Sequence, residues 1–395
     1  MFIIANFDYP VFLPKSETFI YQYISRLTRF HPVCLSWKFE NLDQFPVPDN
    51  DLCLLSLKKY TLKWLYNGVE RRVFYQIQKG FFRRDRAAER IATDFLRSRN
   101  AKLIHAHFGT TGILTYRLKK RLCIPHITTF YGFDVSQLAT HKKWKEQYIK
   151  LFQEGDMFLV EGKHMKSKLI TLGCPEEKIQ IQRIAIAVGQ ILFRPRKPKR
   201  KGKTVFIFGG RFIEKKGLIY ALKAFKKVRE TNSNFEFRII GDGPLKSEIN
   251  AFIRENNMER YTLLLGFLNY KDYMKQMQEA DIFIHPSITA TDGDSEGGAP
   301  TTILEAQAMG MPVISSYHAD IPNIVIPGES ALLSEERDWK RLAENIRYLL
   351  ENQSEWEAMG KTGRNLMENR HNITVEVHSL EDKYSKLIRA NDSRA

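Results

Sequence analysis

Cysteine is scarce in this chain. Four residues, Cys34, Cys53, Cys123 and Cys174, are scattered over 395 positions. Their spacing matches neither a zinc-binding pattern nor a disulfide framework, so neither is expected to hold the fold together. A reducing compartment is the simplest expectation for such sparse, isolated cysteines.

Long hydrophobic runs are also missing, as are low-complexity tracts and repeats at solenoid spacing. No stretch approaches the roughly 20 apolar residues that a membrane-spanning helix needs. The opening Met1–Phe7 lacks a basic leader and is too short for a signal peptide, so it is interpreted as a buried strand. We therefore expect a cytoplasmic protein whose contact with a membrane is at most peripheral.

Acidic residues are too few to balance the basic ones, and the formal net charge is +16. Such an excess predicts an anionic partner: a phosphate-bearing substrate, a membrane surface or nucleic acid. The segment Lys58–Arg90 contains ten basic residues against three acidic ones, interleaved with large aromatic residues. That pattern suits the inner face of an anionic cell membrane, and the alternative is a helical pair whose aromatic residues face the core of their own domain.

Strand-like and helix-like segments alternate twice over along the chain, which is typical of parallel, doubly wound α/β sheets. The predicted strands are Phe2–Asn6, Val33–Trp37, Leu103–Ala106, His126–Thr129, Met157–Val160, Thr204–Gly209, Glu236–Ile240, Tyr261–Leu265, Ile282–His285 and Pro312–Ser315. The predicted helices include Glu17–Leu27, Arg86–Arg97, Leu218–Arg229, Lys246–Glu255 and Val375–Arg389.

The alternation is interrupted at Phe193–Lys203, where two prolines and a run of like charges favour an exposed linker. We therefore predict an N-terminal domain over residues 1–193, a basic linker over 194–203 and a second domain over 204–375. The last segment, 376–395, is predicted to be a helix that packs back on the first domain. Ligands of open α/β sheets bind beyond the carboxyl ends of the strands, so two facing domains would form one deep cleft.

The first chemical motif, in Phe206–Gly217, is a glycine-rich turn followed by two cations. An apolar strand runs into Gly209 and Gly210, and Arg211 and Lys216 follow before the next helix. Arg211 can bind a pyrophosphate with its forked guanidinium group, and Lys216 can add a point charge. A solvated basic loop is the alternative, because turns of this kind are common.

The second motif, Asp292–Pro312, is an acidic loop that leads into a helix. Gly297 and Gly298 allow the backbone to come close to a ligand, and Pro300 suits the first turn of a helix. The amides at the start of that helix form an anion site. Glu305 could accept hydrogen bonds from a ribose diol. The alternative is an ordinary amphipathic helix, but the order of glycine, proline and carboxylate favours a site for a sugar nucleotide.

Several short motifs then follow one another in a recognisable order. They are Gly-Gly-Arg-x-x-x-x-Lys-Gly, Gly241–Pro244, Gly266–Leu268, Ala280-Asp281, His285–Ser287 and Glu-Gly-Gly-Ala-Pro…Glu-Ala. In combination they resemble the large family of retaining GT-B glycosyltransferases, family 4, which includes sucrose-synthase-like and many bacterial surface-polysaccharide enzymes. The resemblance covers most of the chain and is strongest over Val205–Leu333.

This resemblance implies a GT-B fold, in which two doubly wound Rossmann-like domains face a deep cleft. It also implies transfer of a hexose-type sugar from a UDP- or GDP-sugar donor to a glycan or lipid-linked acceptor, with retention of anomeric configuration. No metal or other cofactor is expected, because the family uses Arg and Lys to stabilise the leaving group. Asp242, Asp292 and Asp294 are accordingly interpreted as turn or solvent-facing residues.

The resemblance further implies roles for individual residues. Arg211 and Lys216 would hold the donor diphosphate, Glu305 would bind the ribose, and Glu296 would lie near the transferred sugar or the diphosphate. The other donor-binding residues implied are Gly210, Gly241, Phe267, Leu268, Gly297, Gly298, Ala299, Pro300 and Thr301. One departure concerns Glu296, because eight residues separate it from Glu305 where the family usually has seven. Either the loop bulges by one residue or Glu296 has a shifted role.

The N-terminal half is expected to bind the acceptor. Glu17 and Thr18 lie in a Ser-Glu-Thr-Phe segment that resembles the start of related polysaccharide transferases. Tyr131 stands where the family's Thr-Phe-His-Gly-x-Asp motif has a histidine, and a tyrosine cannot act as a base near neutral pH. His107 is then the remaining candidate imidazole, either catalytic or a satisfied buried histidine. Asp134 either contacts an acceptor hydroxyl or caps the following turn.

Other function classes share some of these features. A nucleic-acid-binding protein would explain the positive charge, but the sequence contains no recognisable nucleic-acid module. A nucleotide-sugar epimerase or another GT-B enzyme would share the donor site, and the epimerase would need no acceptor. A phosphorylase built on pyridoxal phosphate would need a dedicated lysine site, which we do not identify.

Overall fold

The computed structural model describes residues 1–14, 17–55, 86–198, 201–298 and 300–393. The first half forms a sheet of parallel strands in the order β3-β2-β1-β4-β5-β6-β7. Its strands are β1 (Phe2–Phe7), β2 (Phe30–Ser36), β3 (Leu52–Leu54), β4 (Ala101–His107), β5 (His126–Thr129), β6 (Met157–Val160) and β7 (Ile179–Ile181). Its helices are α1 (Thr18–Ile24), α2 (Arg86–Ser98), α3 (Gly109–Leu122), α4 (Lys142–Glu154) and α5 (Lys163–Thr171).

The second half forms another parallel sheet, in the order β10-β9-β8-β11-β12-β13. Its strands are β8 (Thr204–Gly209), β9 (Phe235–Ile240), β10 (Thr262–Gly266), β11 (Ile282–His285), β12 (Val313–Ser316) and β13 (Ala331–Ser334). The helices are α6 (Leu218–Arg229), α7 (Lys246–Glu255), α8 (Tyr270–Glu279), α9 (Thr301–Ala308), α10 (Ile321–Ile324), α11 (Trp339–Glu351), α12 (Trp356–Arg370) and α13 (Ile373–Asp392).

The predicted pair of doubly wound sheets is thus confirmed. The central strands are mainly apolar because helices cover both faces of each sheet. In β8, for example, Phe206, Ile207 and Phe208 are all fully buried. The short strands β3, β7 and β13 were not predicted.

Two segments tie the domains together. In the predicted linker, Arg196 is buried rather than exposed, and its guanidinium donates to the carbonyls of Ala280 at 3.0 Å and Met309 at 2.7 Å. The last helix, α13, lies on the first domain. There the Tyr384 hydroxyl is 2.6 Å from Nδ1 of His105, and Glu381 accepts hydrogen bonds from the backbone of residues 28 and 29. In the described part of the chain, no helix is both long and apolar enough to cross a bilayer.

Candidate active site

Lys216 and Glu296 form an ion pair in the cleft. Lys216 lies just beyond β8, and its Nζ donates to Oε1 of Glu296 at 2.7 Å. The hydroxyl of Ser287, just past the end of β11, donates to the same oxygen at 3.0 Å. Burial would raise the pKa of Glu296, but the charge of Lys216 holds it well below its ordinary value. The carboxylate is therefore ionised and the cation beside it is already oriented.

The loop that carries Glu296 is held by side chains that were not predicted to be part of the site. The backbone N–H of Glu296 donates to Nε2 of His318 at 3.0 Å. The other ring nitrogen, Nδ1, lies 2.5 Å from Oε1 of Glu336, which fixes the ring. Lys215 is buried, and its Nζ donates to Asp294 at 3.1 Å and to the Ser295 carbonyl at 3.0 Å. Asp294 therefore anchors this loop and does not face solvent.

Glu305 lies on α9, and two tyrosine hydroxyls donate to it. Tyr270 donates to Oε1 at 3.2 Å and Tyr273 to Oε2 at 3.0 Å. Burial raises the pKa of Glu305 to about 7, although these hydrogen bonds oppose the shift. The tyrosines are three residues apart on α8 and therefore share one face of it. Two tyrosines three residues apart, directly after the Gly266–Leu268 motif, are a sequence pattern from which Tyr270 and Tyr273 could have been predicted as site residues.

Three expected donor-site glycines lie at strand ends or in the adjoining loop. At Gly241, where φ is +144°, a Cβ would come 1.9 Å from the carbonyl oxygen of Gly210, so only glycine fits. Gly297 abuts the first domain, and a Cβ there would be 2.5 Å from the Tyr131 carbonyl oxygen. Gly298 likewise packs against the side chain of Glu161. The last two glycines therefore allow the two domains to approach closely.

The other residues expected on the donor side follow the strand ends or lie in the loop before α9. Arg211 and Phe267 are exposed, and Leu268 is half-buried. Pro300 precedes α9, which begins at Thr301. Ala299 lies outside the described residues. Among the described residues, no group of three or more His, Cys, Asp or Glu side chains is arranged to hold a metal ion.

His107 ends β4 and is almost fully buried. Its Nδ1 is 2.8 Å from the Tyr131 hydroxyl, and its Nε2 is 3.3 Å from Oδ1 of Asn6. Burial lowers the pKa of His107 well below its ordinary value and raises that of Tyr131, so both rings stay neutral. The imidazole is thus a hydrogen-bonded member of a buried network, one of the two alternatives that its sequence position allowed.

Asp134 is fully buried and organises the turn after β5. Its Oδ1 accepts from the backbone N–H groups of Tyr131 at 3.1 Å and Gly132 at 3.0 Å, and its Oδ2 accepts from that of Gly109 at 2.8 Å. Of its two possible roles, these contacts are those of a turn-capping residue. Thr18 begins α1 and is exposed.

Glu17 lies immediately before α1, beside the carboxyl of Asp8 and within range of the positive charge of Arg211. The structure thus brings an acceptor-side candidate and a donor-side cation together across the cleft. Asp8 itself was not selected from the sequence.

The fold defines a class of protein. A sucrose-phosphate synthase from Thermosynechococcus elongatus superposes with a TM-score of 0.77 at 14% identity, over 99% of this chain and 100% of that one. The Anabaena protein HepE, solved in complex with UDP-glucose, gives a TM-score of 0.75 at 14% identity, over 98% of this chain and 100% of that one. The predicted GT-B fold is therefore confirmed.

Sequence matches define the family more closely. Residues 190–366 match the family model of glycosyl transferases group 1, and residues 47–183 match that of Glycosyltransferase Family 4. The two matches span most of the chain, which therefore belongs to these glycosyltransferases.

Two curated relatives carry more specific names. The amylovoran biosynthesis glycosyltransferase AmsK of Erwinia amylovora is 34% identical over 245 residues, 62% of this chain and 60% of that protein. The putative colanic acid biosynthesis glycosyltransferase WcaL of Escherichia coli K12 is 32% identical over 259 residues, 65% of this chain and 62% of that protein. The alignments thus span a little under two thirds of the relatives' length.

Proposed function

We propose that the protein transfers a hexose-type sugar from a UDP- or GDP-sugar to a glycan or lipid-linked acceptor during polysaccharide biosynthesis, with retention at the anomeric carbon. The observation that carries the proposal is the buried Lys216–Glu296 ion pair. It lies beyond the carboxyl end of β8, close to Arg211 and directly before the helix that carries Glu305. Ligands bind at this end of the strands in open α/β sheets.

The chemistry of these groups suits departure of a nucleoside diphosphate. As the bond between the anomeric carbon and the diphosphate oxygen breaks, negative charge grows on the diphosphate. Lys216, Arg211 and the amides at the start of α9 offer positive charge and hydrogen-bond donors for it. Since Glu296 already orients Lys216, little reorganisation is needed at the moment of reaction.

Support for the substrate classes comes from the relatives. AmsK and WcaL are named for amylovoran and colanic acid biosynthesis, and the HepE structures contain UDP or UDP-glucose. Retention rests on the family resemblance. A cytoplasmic location at the inner face of the membrane is part of the same proposal, supported by the net charge of +16.

A thermal-shift screen against UDP-, GDP- and ADP-sugars tests the donor, because a ligand that binds the folded state raises the melting temperature. We expect a UDP- or GDP-sugar to stabilise the protein and to be consumed faster when an acceptor extract is added. Proton NMR of the product then reports whether the anomeric configuration of the donor is kept. Absence of any stabilisation by nucleotide-sugars would contradict the proposal.

A further inference from the structure

Asp8 follows β1 directly, at the carboxyl edge of the first sheet, and is almost fully buried. Its Oδ1 accepts a hydrogen bond from the backbone N–H of Tyr9 at 2.8 Å. Among the described residues, no N–H group or hydroxyl donates to its Oδ2. A buried carboxylate oxygen without a donor is costly and uncommon, so this oxygen is a candidate for contact with a ligand.

The neighbour of Asp8 is a second carboxyl, that of Glu17. Two ionised carboxylates have only acceptor oxygens, so a hydrogen bond between them requires one to be protonated. Burial and the proximity of Glu17 raise the pKa of Asp8 well above its ordinary value. Burial also raises the pKa of Glu17 to about 7, against the opposing effects of Asp8 and Arg211. Near neutral pH one carboxyl of the pair is therefore protonated and the other ionised, so the two can offer a ligand one donor and one acceptor.

The position of the Asp8–Glu17 pair suits contact with a ligand in the cleft. Glu17 is partly exposed, and Arg211 of the second domain is exposed and near enough for its charge to lower the pKa of Glu17. Tyr131 of the acceptor domain is near enough to Asp8 for the two to influence each other. The carboxyls therefore belong to the first domain and lie within electrostatic range of the cation that we assign to the donor diphosphate.

Building on the proposed function, we propose that Asp8 and Glu17 bind adjacent hydroxyl groups of an uncharged sugar ring in the acceptor. The protonated carboxyl donates to one hydroxyl oxygen, and the ionised carboxyl accepts from the other hydroxyl. The pair keeps a net negative charge, so an acceptor with a carboxylate at this place is repelled. Asp8 and Glu17 are thus positioning and specificity residues.

The test uses the full chain, the nucleotide-sugar that stabilises it, and two probes of like shape: octyl glucoside, which is uncharged, and octyl glucuronide, which is anionic. We expect the wild-type protein to prefer octyl glucoside. Asp8→Asn and Glu17→Gln should each raise KM for that probe by about tenfold, the scale of one hydrogen bond to a charged group. Donor affinity should stay within about twofold, because these carboxyls do not hold the diphosphate. The exposed Asp43→Asn serves as the matched control.

The outcomes separate this inference from the proposed function. A protein that no nucleotide-sugar stabilises would contradict the proposed function itself. A protein that binds and hydrolyses its donor, yet transfers to neither probe or to both equally, would overturn the role of the pair alone. So would variants that lose stability or donor affinity while KM for octyl glucoside is unchanged, since that is the behaviour of purely structural carboxyls.

Discussion

At the scale of single residues, burial controls the charges on the proposed donor side of the cleft. Lys216 and Glu296 neutralise each other in a site from which water is largely excluded. Removing one partner of such a pair leaves an uncompensated buried charge, whereas removing both charges is much better tolerated. Stability and catalysis can therefore be separated by experiment.

We expect Lys216→Ala to reduce turnover by roughly a hundredfold to a thousandfold, the usual effect of losing one preorganised electrostatic contact. It should also lower the free energy of unfolding, because Glu296 loses its counter-charge. The double variant Lys216→Met/Glu296→Gln should recover stability but not turnover. Steady-state rates and urea denaturation measure the two effects, with the exposed Lys226→Ala as the control. Near-normal turnover in Lys216→Ala would contradict the proposed site.

The raised pKa of Glu305 predicts that donor binding depends on pH. Its pKa is raised to about 7, so the carboxyl is protonated, and a poorer acceptor for ribose hydroxyls, at lower pH. Affinity for a nucleotide-sugar should fall as the pH decreases through 7 and level off above it. Calorimetric titration measures this, and Glu305→Gln should bind more weakly with no step in that range. A wild-type affinity that does not change between about pH 6 and 8 would count against a role for the ionised carboxylate.

At the scale of elements, one helix end depends on the other domain. The backbone N–H groups of His164 and Met165, in the first turn of α5, donate to the carboxylate of Asp320 at 2.9 Å and 3.2 Å. Asp320 belongs to the second domain, so it acts as an N-cap supplied across the cleft. Gly162 makes room for it, because a Cβ there would lie 2.3 Å from the Asp320 carboxyl carbon.

We therefore expect Asp320→Ala to weaken closure of the two domains by about 0.5–2 kcal/mol, the usual value of an N-cap. Gly162→Ala should have a similar effect through a steric clash. Small-angle scattering, or fluorescence transfer between labels on the two domains, measures the opening. Asp338→Ala is the matched control, since Asp338 caps α11 within its own domain. If both aspartate variants opened the cleft equally, the contact at Asp320 would have no special role in closure.

At the scale of the whole molecule, the C-terminal helix completes the N-terminal core. Tyr384 is fully buried against Phe30 and His105, although about 350 and 280 residues separate them in the chain. The order of the elements along the chain therefore differs from the order in which they pack. The last helix makes the first domain depend on the end of the chain.

Truncating the Tyr384 side chain should destabilise the first domain. We expect Tyr384→Ala to cost about 3–5 kcal/mol, the usual range for deleting a large buried ring. Hydrogen exchange followed by mass spectrometry should show the loss of protection in β1 and β4, although the change lies in α13. Val375→Ala, at an exposed position of the same helix, should leave both stability and protection unchanged. Loss of protection confined to α13 would mean that the helix does not stabilise the first-domain sheet.

Net charge is the other property of the whole molecule that makes a prediction. At +16, with a basic and aromatic segment at Lys58–Arg90, the protein should sediment with vesicles that contain anionic lipid. Residues 58–85 of that segment lie outside the described residues. Binding should weaken as salt is added and be absent with neutral vesicles, because surface charges are screened. Lack of sedimentation with anionic vesicles at low salt would end the membrane proposal.

Much of the fold was predictable because the signals were local. The strands His126–Thr129, Met157–Val160, Thr204–Gly209 and Ile282–His285, and the helices Leu218–Arg229 and Lys246–Glu255, have the predicted bounds. Each is an apolar run or an amphipathic period between turn residues, and that pattern depends on the segment itself. Glu17–Leu27 was predicted too long, since α1 ends at Ile24. The proline- and lysine-rich composition of the linker did not predict that Arg196 is buried. Its guanidinium donates to carbonyl oxygens more than 80 residues away along the chain.

The sequence by itself determined two doubly wound sheets and a family of glycosyltransferases, because strand periodicity and the order of short motifs are properties of neighbouring residues. Only the tertiary structure decided which groups meet. It joined Lys216 to Glu296, set two tyrosines on Glu305, and placed Asp8 beside Glu17 opposite Arg211. The physical reason is that these partners belong to different strand ends or different domains, where closeness and burial, and hence the pKa of each group, follow from packing.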